Sequence, residues 1–324
     1  MVILVTGGAG SLGRRLAIEL VARGDTVRIL CLPGDSAAKE LAQRGIEVGF
    51  GDVTRMESLH PVLRRVDVVF HLAAVLVSPN GLPQIFQAVN SEGTRNVAIA
   101  AATAGVQHLI YISSISVQYP VSNAYAQSKL QGEAWVRSSR LKNFTIVRPC
   151  LAYAEGGGEE FNRFVAHVRR GPIILLPKGG RALKSPVHID DLVKGFLAMP
   201  LNPKSFGKTY HLAGGDTVNL KQMANLLLAH MGRPKPIWGV PDWICRLAVT
   251  LFSSWYQATG TSNPFTWQTY TGLVQDAAPF DASARVDLNY RPRKFSEGVA
   301  TLTSLRNCLG GEKPTMIKSQ VMVP

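Results

Sequence analysis

A glycine-rich turn between an apolar strand and a helix constrains this chain more than any other feature of its sequence. Residues 2–6 form an apolar, β-branched run, the stretch from Thr6 to Gly13 contains four glycines, and residues 12–23 have helical periodicity. Glycines in such a turn let the backbone approach a pyrophosphate, and the helix start presents N–H groups and a partial positive charge. The turn therefore predicts a dinucleotide site in the first β-α-β unit.

Strand and helix patterns continue to alternate through the first half of the chain. Further strands are expected at residues 26–32, 46–50, 67–72, 108–113 and 144–147, and helices at residues 36–44, 84–104 and 123–140. Alternation with short connections predicts an α/β fold with a Rossmann-type, doubly wound parallel sheet.

After Pro149 the pattern becomes less regular, with a glycine loop, an amphipathic helix at residues 159–170 and a stretch rich in Pro and Gly at residues 171–180. We expect a dinucleotide-binding domain at residues 1–150, to which residues 185–215 return. A smaller, mixed C-terminal substrate-binding domain is expected from residues 151–184 and 216–310, and residues 311–324 predict a loosely held tail.

Composition narrows the class of protein. Of the 324 residues, 46% are hydrophobic and 18% are charged, which excludes a disordered or coiled-coil chain. The four cysteines lie far apart without a C-x-x-C pair, so we expect no metal or dithiol site and a reducing compartment. No targeting pattern begins the sequence, and the longest apolar stretch is too short to span a bilayer. We therefore expect a cytoplasmic protein.

The net charge of +13 favours anionic partners, which include nucleotide phosphates, acidic lipid surfaces and nucleic acid. The basic residues are dispersed and are not interleaved with aromatic residues along one element, so nucleic-acid binding is not expected.

Five motifs of the first half resemble, in the same order, those of the short-chain dehydrogenase/reductase superfamily. They are the turn T-G-x-x-G-x-x-G from Thr6, Gly51-Asp52-Val53, His71-Leu72-Ala73-Ala74, Asn90-x-x-Gly93-Thr94-x-Asn96-Val97, and Tyr111-Ile112-Ser113-Ser114 with Tyr125-x-x-x-Lys129. Segments at residues 147–149, 187–192, 210–215 and 281–293 resemble its extended subgroup, the NAD-dependent epimerase/dehydratase family. The resemblance covers roughly residues 1–305 and implies an NAD(P)-dependent oxidoreductase.

The resemblance also implies which residues bind the cofactor. They are Gly7, Gly10, Ser11, Leu12, Gly13, Arg14, Asp52, Val53, Leu72, Ala73, Ala74, Asn90, Ser113, Tyr125, Lys129 and Pro149. NAD-preferring folds place an acid at the end of the second strand, whereas here Asp35 comes a few residues late. Arg14 can pair with a 2′-phosphate, so NADP is favoured over NAD.

Tyr125 and Lys129 stand four residues apart on an expected helix and share one face. An ammonium beside a tyrosine favours the phenolate and moves its pKa toward neutral pH. In the family such a tyrosine exchanges a proton with a hydroxyl/ketone pair while hydride moves to or from nicotinamide, and a serine orients the substrate oxygen. The predicted catalytic residues are Ser114, Tyr125 and Lys129.

On the substrate side, Lys184 falls where nucleotide-sugar epimerases of the family have an arginine on the diphosphate, and Arg163 can add to an anionic rim. A small anionic molecule, above all a nucleotide-activated sugar, is the leading substrate class, although a second phosphate-binding arginine is not evident in residues 268–280. Ile115 and Ser116 stand where dehydratases carry an acidic pair, which disfavours dehydration.

Three alternatives stay open: an epimerase with transient oxidation, a reductase of an apolar ketone similar to 3β-hydroxysteroid dehydrogenases, and a non-catalytic dinucleotide-bound scaffold. The second alternative depends on the aromatic residues at 237–256, for which burial in a core or lid is expected and contact with a membrane surface is not. A homodimer is also possible.

Overall fold

The computed structural model describes residues 1–78, 82–259 and 266–306, without the side chains of residues 253, 255–259 and 306. The tail expected at residues 311–324 lies outside this part of the chain. The strands β1 to β13 are, in order, Val2–Thr6, Thr26–Cys31, Glu47–Phe50, Val68–His71, His108–Ile112, Phe144–Pro149, Ala152–Tyr153, Ile174–Pro177, Leu183–Lys184, Val187–His188, Thr209–Leu212, Val218–Asn219 and Ile237–Val240.

The helices α1 to α14 are, in order, Ser11–Ala22, Ala37–Gln43, Leu59–Val62, Pro83–Phe86, Gly93–Thr103, Ala124–Ser138, Glu159–Arg169, Ile189–Leu197, Leu220–Met231, Asp242–Thr259, Trp267–Val274, Ala282–Asp287, Phe295–Val299 and Thr303–Arg306. Within the described residues, no helix is long and apolar enough to cross a membrane.

Seven parallel strands form the central sheet, in the order β11-β6-β5-β4-β1-β2-β3. β1 lies between β2 and β4, so that Thr6 is in register with Leu30 on one side and with His71 on the other. The strand order reverses at this point, and in doubly wound sheets the carboxyl ends of such strands border the ligand crevice. The Rossmann-type parallel sheet predicted from the alternating pattern is confirmed.

Helices cover both faces of the sheet, because its strands are apolar on both sides. On one face α1 and α8 contribute Leu16, Leu20 and Phe196, all fully buried. On the other face α5 and α6 contribute Val97 and Val136. A separate core joins α7, α9, α13 and β8, and the two-stranded ribbon of β8 and β13 lies in the stretch expected to be irregular.

The helix expected at residues 84–104 is interrupted by a π-helical turn, Gln87–Glu92, between α4 and α5. The wider turn carries Asn90, whose side chain is fully buried. Asn90 accepts a hydrogen bond from the Val75 N–H at 2.8 Å and donates to the Val75 carbonyl at 3.0 Å and to Ser128 Oγ at 3.1 Å. These bonds stabilise an irregularity that helical periodicity does not reveal.

The burial expected for the aromatic residues at 237–256 is wrong where the structure describes their side chains. Trp238 is 59% exposed and Trp243 is 67% exposed. The physical reason is that Cys245 and Val249 occupy the inner face of α10, which turns Trp243 to the outer face. The side chains of Trp255 and Tyr256 lie outside the described part.

Candidate functional site

The glycine turn and the loop after β4 are fixed to each other at the carboxyl ends of β1 and β4. Thr6 Oγ1 lies 2.7 Å from His71 Nδ1 and accepts a hydrogen bond from the Ala73 N–H at 3.2 Å. Burial lowers the pKa of His71 to about 3, so the imidazole is neutral and serves as a structural hydrogen-bonding group. The two loops therefore form one rigid border of the crevice.

Three glycines of the turn differ in what a side chain would meet. A Cβ on Gly7, whose φ is +71°, would lie 2.7 Å from the Ala73 nitrogen, and one on Gly13 would lie 2.2 Å from the Gly7 oxygen. A Cβ on Gly10 would have only the Gly7 oxygen near it, at 3.4 Å, which is an ordinary contact. Gly10 is exposed, so a side chain there would fill the crevice before α1. This space fits the pyrophosphate of a dinucleotide.

Other predicted cofactor residues lie along the same edge of the sheet. Ser11 and Leu12 begin α1, whose N-terminus has no side-chain cap, and its first N–H groups can therefore meet an anion. The segments Asp52-Val53 and Leu72-Ala73-Ala74 follow β3 and β4, and Pro149 ends β6. One Asp52 oxygen accepts the Thr54 N–H at 2.8 Å. Asn90 and Ser113 instead direct their buried polar groups to protein partners.

Arg14 lies in the first turn of α1, where a 2′-phosphate was expected. Its Nη2 lies 2.6 Å from Glu40 Oε2 in a half-exposed ion pair, and its Nε is buried without a hydrogen-bond partner among the described residues. Asp35 accepts the Ala37 N–H at 3.0 Å and so is engaged in the turn before α2. The Arg14 guanidinium therefore has one N–H group that is not used by the described residues.

Helix α6, which carries the predicted catalytic residues Tyr125 and Lys129, is positioned by Asn123 at its N-terminus. Asn123 Oδ1 accepts the Ala126 N–H at 2.9 Å, and its Nδ2 donates to Thr271 Oγ1 at 2.9 Å. Tyr125 and Lys129 follow on one face of the helix, and they are 9% and 1% exposed. The helix cap therefore fixes the site and joins it to α11.

Burial, rather than the neighbouring ammonium, dominates the ionisation of Tyr125. Its pKa is raised above the ordinary value because the phenol is desolvated and faces the Glu160 carboxylate, whereas hydrogen bonding to Ser114 lowers it. Burial also lowers the pKa of Lys129 to about 7, although the Glu133 carboxylate raises it. The expectation that Lys129 draws the tyrosine pKa toward neutrality is therefore not met.

The buried amine of Lys129 and the two serines each have partners within the protein. Lys129 Nζ lies 4.4 Å from the centroid of the Tyr111 ring, a cation–π contact. Ser113 Oγ donates to Glu133 Oε1 at 2.7 Å, so the hydroxyl proton of this serine is bound by the protein itself. Ser114 Oγ accepts the Ser116 N–H at 3.2 Å and lies beside the Tyr125 phenol. Ser114 is thus the serine of the pair that can meet a substrate oxygen.

On the substrate side, Lys184 is 3% exposed and is bonded to protein. Its Nζ donates to the Gly272 carbonyl at 2.7 Å and to the Gln275 carbonyl at the end of α11, and it lies 5.7 Å from the Tyr119 ring centroid. Arg163 forms an ion pair with Glu159 one turn earlier on α7. The structure brings Lys184 to the cleft and holds Arg163 on the surface of α7.

Sequence reasoning missed Glu160, in the first turn of α7. Its pKa is raised by desolvation, while Arg163 and Lys184 lower it. Solvent still reaches its side chain, so Glu160 lines the cleft rather than the core. The same carboxylate raises the pKa of Tyr119 and Tyr125. The only signal in the sequence was its position directly after a glycine loop.

Helix α11 is tied over the cleft by amide side chains. Gln275 accepts the Val121 N–H and donates to the Val121 carbonyl, both at 2.8 Å. Gln268 donates to the Leu76 carbonyl at 2.6 Å. These bonds hold α11 against the loop after β4 and the segment before α6. Among the described residues, no group of three or more His, Cys, Asp and Glu side chains is placed to hold a metal.

Residues 3–213 match the model of the NAD dependent epimerase/dehydratase family. The chain belongs to this family. Two of the later segments that resemble this family, residues 187–192 and 281–293, contact each other: the Arg293 guanidinium donates hydrogen bonds of 2.8 and 3.0 Å to the Asp191 carboxylate. The protein is accordingly an enzyme, an NAD-dependent oxidoreductase of the extended short-chain dehydrogenase/reductase type.

Two known enzymes and one solved structure are similar to this chain over most of its length. The chain is 29% identical to the 4-hydroxy-2-methyl-3-oxo-4-farnesyl-3,4-dihydroquinoline-1-oxide ketoreductase of Stigmatella aurantiaca over 273 residues, 78% of this chain and 80% of the relative. It is 26% identical to the 3 beta-hydroxysteroid dehydrogenase/Delta 5-->4-isomerase of Mycobacterium tuberculosis over 321 residues, 90% and 86% of the two chains. The UDP-glucuronic acid 4-epimerase of Bacillus cereus, solved with UDP-glucuronic acid and NAD, shares the fold. Its TM-score is 0.73 at 20% identity, with 96% of this chain and 100% of that chain covered.

Proposed function

We propose that this enzyme interconverts a hydroxyl and a ketone on an apolar, uncharged substrate at the expense of NAD(P), through Ser114, Tyr125 and Lys129. The observation that carries the substrate class is the bonding of Lys184. Its ammonium is buried and donates to two carbonyls at the end of α11. To reach a diphosphate it would leave these carbonyls unpaired, which costs about 1–3 kcal/mol for each buried group.

The charge around Lys184 supports the same conclusion. Burial lowers the pKa of this lysine to about 8, and the Glu160 carboxylate faces the same cleft. A diphosphate would therefore meet an ammonium that is already bonded to two carbonyls, and a carboxylate that repels it. The relatives named as a ketoreductase and a hydroxysteroid dehydrogenase support an apolar ketone over the nucleotide-activated sugar that the sequence favours.

A bound nicotinamide supplies or accepts the hydride. Tyr125 keeps its phenolic proton at neutral pH, because burial raises its pKa, and gives that proton to the oxygen of a ketone as the carbonyl carbon is reduced. Ser114 orients the same oxygen through its hydroxyl. Lys129, with a pKa of about 7, can return a proton to the tyrosinate near neutral pH. A high tyrosine pKa favours the reducing direction.

The residues around β2 support NADP as the preferred cofactor. A 2′-phosphate needs a cation and no facing acid. Arg14 offers a guanidinium with an unbonded Nε, and Asp35 is engaged in the following turn. Glu40 shares the Arg14 guanidinium at the surface and would have to yield part of it to the phosphate.

The test compares two substrate classes by the nicotinamide absorbance and, because epimerisation leaves that absorbance unchanged, by chromatography of the UDP-sugars. Purified enzyme with NAD(H) or NADP(H) is offered a 3-ketosteroid, a 2-alkyl-3-ketone and their alcohols, and in parallel UDP-glucose and UDP-glucuronic acid. We expect turnover of the apolar compounds alone, and a loss of that turnover in Tyr125→Phe. The Lys184→Met variant should change the KM for the apolar ketone less than threefold.

The proposed substrate class would be overturned if the enzyme oxidised or epimerised a UDP-sugar and the KM for that sugar rose at least tenfold in Lys184→Met. A nucleotide-activated sugar would then be the substrate. Near-normal turnover of the true substrate by Tyr125→Phe would instead overturn the catalytic assignment. The two results are separable because they come from different variants.

A further inference from the structure

Helix α10 presents apolar side chains on two opposite sides. Its inner side packs Cys245 and Val249, which are 5% and 0% exposed, against the rest of the protein. On its outer side Trp243, Leu247 and Leu251 are 67%, 52% and 62% exposed. These three residues are spaced by four, so they form one stripe along the helix. Such a stripe has no partner among the described residues. Exposed apolar patches of this kind are typical of surfaces that bind a membrane or another molecule.

The ribbon of β8 and β13 extends this apolar surface. Leu175 and Trp238 are cross-strand neighbours in register, and they are 49% and 59% exposed. Lys178, directly after β8, lies 3.5 Å from Asp242 at the start of α10. The end of the ribbon therefore lies beside the start of α10. We name the five exposed apolar residues the α10 face; they are Leu175, Trp238, Trp243, Leu247 and Leu251.

The segments that carry the α10 face are nearly free of acidic residues. Residues 161–189 contain no Asp or Glu and six Lys or Arg, and residues 217–275 contain one acid, Asp242, and four Lys or Arg. Arg169 and Arg170 are exposed just before β8, and Lys178 and Arg246 are 47% and 57% exposed beside Asp242. The apolar face is thus bordered by cations at both ends of the ribbon.

We propose that the α10 face docks on the surface of a lipid bilayer that contains anionic headgroups. Tryptophan and leucine side chains enter the boundary between headgroups and acyl chains, while the bordering cations meet the headgroups. The helix lies in the plane of the surface, because no described helix can cross a bilayer and the inner side of α10 is already packed. The proposal does not depend on the substrate class, since it rests on the outer surface alone.

The charge of the border decides between a bilayer and a second copy of this chain. Two copies would bring two cation-bordered faces together, and like charges across an interface cost association energy. An anionic bilayer instead attracts these cations, of which Lys178 and Arg246 share the single acid Asp242, and also covers the tryptophans.

The test is sedimentation of the full-length enzyme with vesicles, either phosphatidylcholine alone or an equal mixture of phosphatidylcholine and phosphatidylglycerol. We expect binding to the mixed vesicles to be at least tenfold tighter than to phosphatidylcholine, and to weaken as salt is added. The double variant Trp243→Ser, Leu247→Ser should bind the mixed vesicles at least tenfold more weakly. A matched control is Phe280→Ser, since Phe280 is 76% exposed but lies outside the α10 face.

Circular dichroism and turnover of a soluble ketone check that both variants are folded. Equal binding by the wild type and the double variant, or no binding of the wild type to mixed vesicles, would overturn the proposal. A wild type that dimerises in the absence of vesicles and becomes monomeric in the double variant would show that a second copy covers the face, and would also overturn it.

Discussion

The carboxylate of Glu133 meets the guanidinium of Arg148 side by side, with 2.8 Å from Oε1 to Nε and 2.7 Å from Oε2 to Nη2. Glu133 follows Lys129 by one helical turn, and its carboxylate also accepts the Ser113 hydroxyl. One largely buried ion pair thus joins α6 to β6 and to the segment with Ser113 and Ser114. It also supplies the negative charge that keeps the pKa of Lys129 from falling further.

Glu133→Gln should lower the free energy of unfolding by about 3 kcal/mol, because it leaves Arg148 largely buried without its counter-charge. The pKa of Lys129 should also fall below about 7, because the charge that raises it is gone. Urea unfolding measures the first effect. The control is Glu159→Gln in the exposed ion pair with Arg163, where a change under about 1 kcal/mol is expected. Equal losses in both variants would contradict a special role for the buried pair.

Gly10→Val should abolish NAD(P) binding while the free energy of unfolding stays near the wild-type value, since the protein itself leaves room for a side chain there. Gly13→Val should instead destabilise the fold, because its Cβ would lie 2.2 Å from the Gly7 oxygen. Calorimetry with the cofactor and urea unfolding separate the two effects. Unchanged cofactor affinity in Gly10→Val would refute the location of the pyrophosphate.

Tyr125→Phe should reduce turnover by roughly 10²–10⁴, the usual contribution of a general acid–base, with cofactor affinity nearly intact. The ring still packs against Phe86, and only the transferable proton is lost. Tyr119→Phe is the matched control, because it removes a second phenol beside the cleft without touching the catalytic helix. Steady-state kinetics on the true substrate should show a change of less than tenfold in the control.

Stability should rise with pH between about pH 7 and pH 8, below the range in which Cys31 and Cys150, whose pKa values are raised by burial, act in the opposite direction. The pKa of Lys129 is about 7 in the folded enzyme and 10.5 in an unperturbed lysine, so in this window the unfolded chain binds more protons than the folded one. The slope is at most about 1.4 kcal/mol per pH unit for one such group. Urea unfolding at several pH values should show a smaller slope in Lys129→Met, with the remainder from Lys184, whose pKa is about 8. Lys221→Met, at an exposed position on α9, should keep the wild-type slope.

Arg14→Leu should weaken NADP binding at least tenfold and change NAD binding less than threefold, because only NADP has a 2′-phosphate for the guanidinium. Arg15→Leu is the neighbouring control, since Arg15 is occupied by Glu19 and Asp190. Fluorescence titration with both cofactors measures the ratio. Equal losses for the two cofactors would exclude Arg14 as the 2′-phosphate residue.

The fold class and the positions of the cofactor motifs could be predicted from the sequence by itself. An apolar, β-branched run such as residues 2–6 favours a strand that is buried on both faces. A glycine-rich turn after the first strand is typical of dinucleotide binding. Tyr125 and Lys129 share a helix face by spacing alone. These are local properties, so the chain carries them without reference to its distant residues.

Only the tertiary structure decided how charged groups behave and which surfaces stay exposed. The spacing of Tyr125 and Lys129 suggested a lowered tyrosine pKa, but desolvation depends on all the atoms packed around the pair and outweighs their mutual effect. Lys184 matched a phosphate-binding position in sequence, yet the carbonyls of Gly272 and Gln275, nearly 90 residues later, bind its ammonium. The apolar side chain of Trp243 suggested burial in a core. Because Cys245 packs inward from the other side of α10, Trp243 lies on the exposed side of the helix. Each outcome depends on contacts between residues far apart in the chain, and local pattern does not contain them.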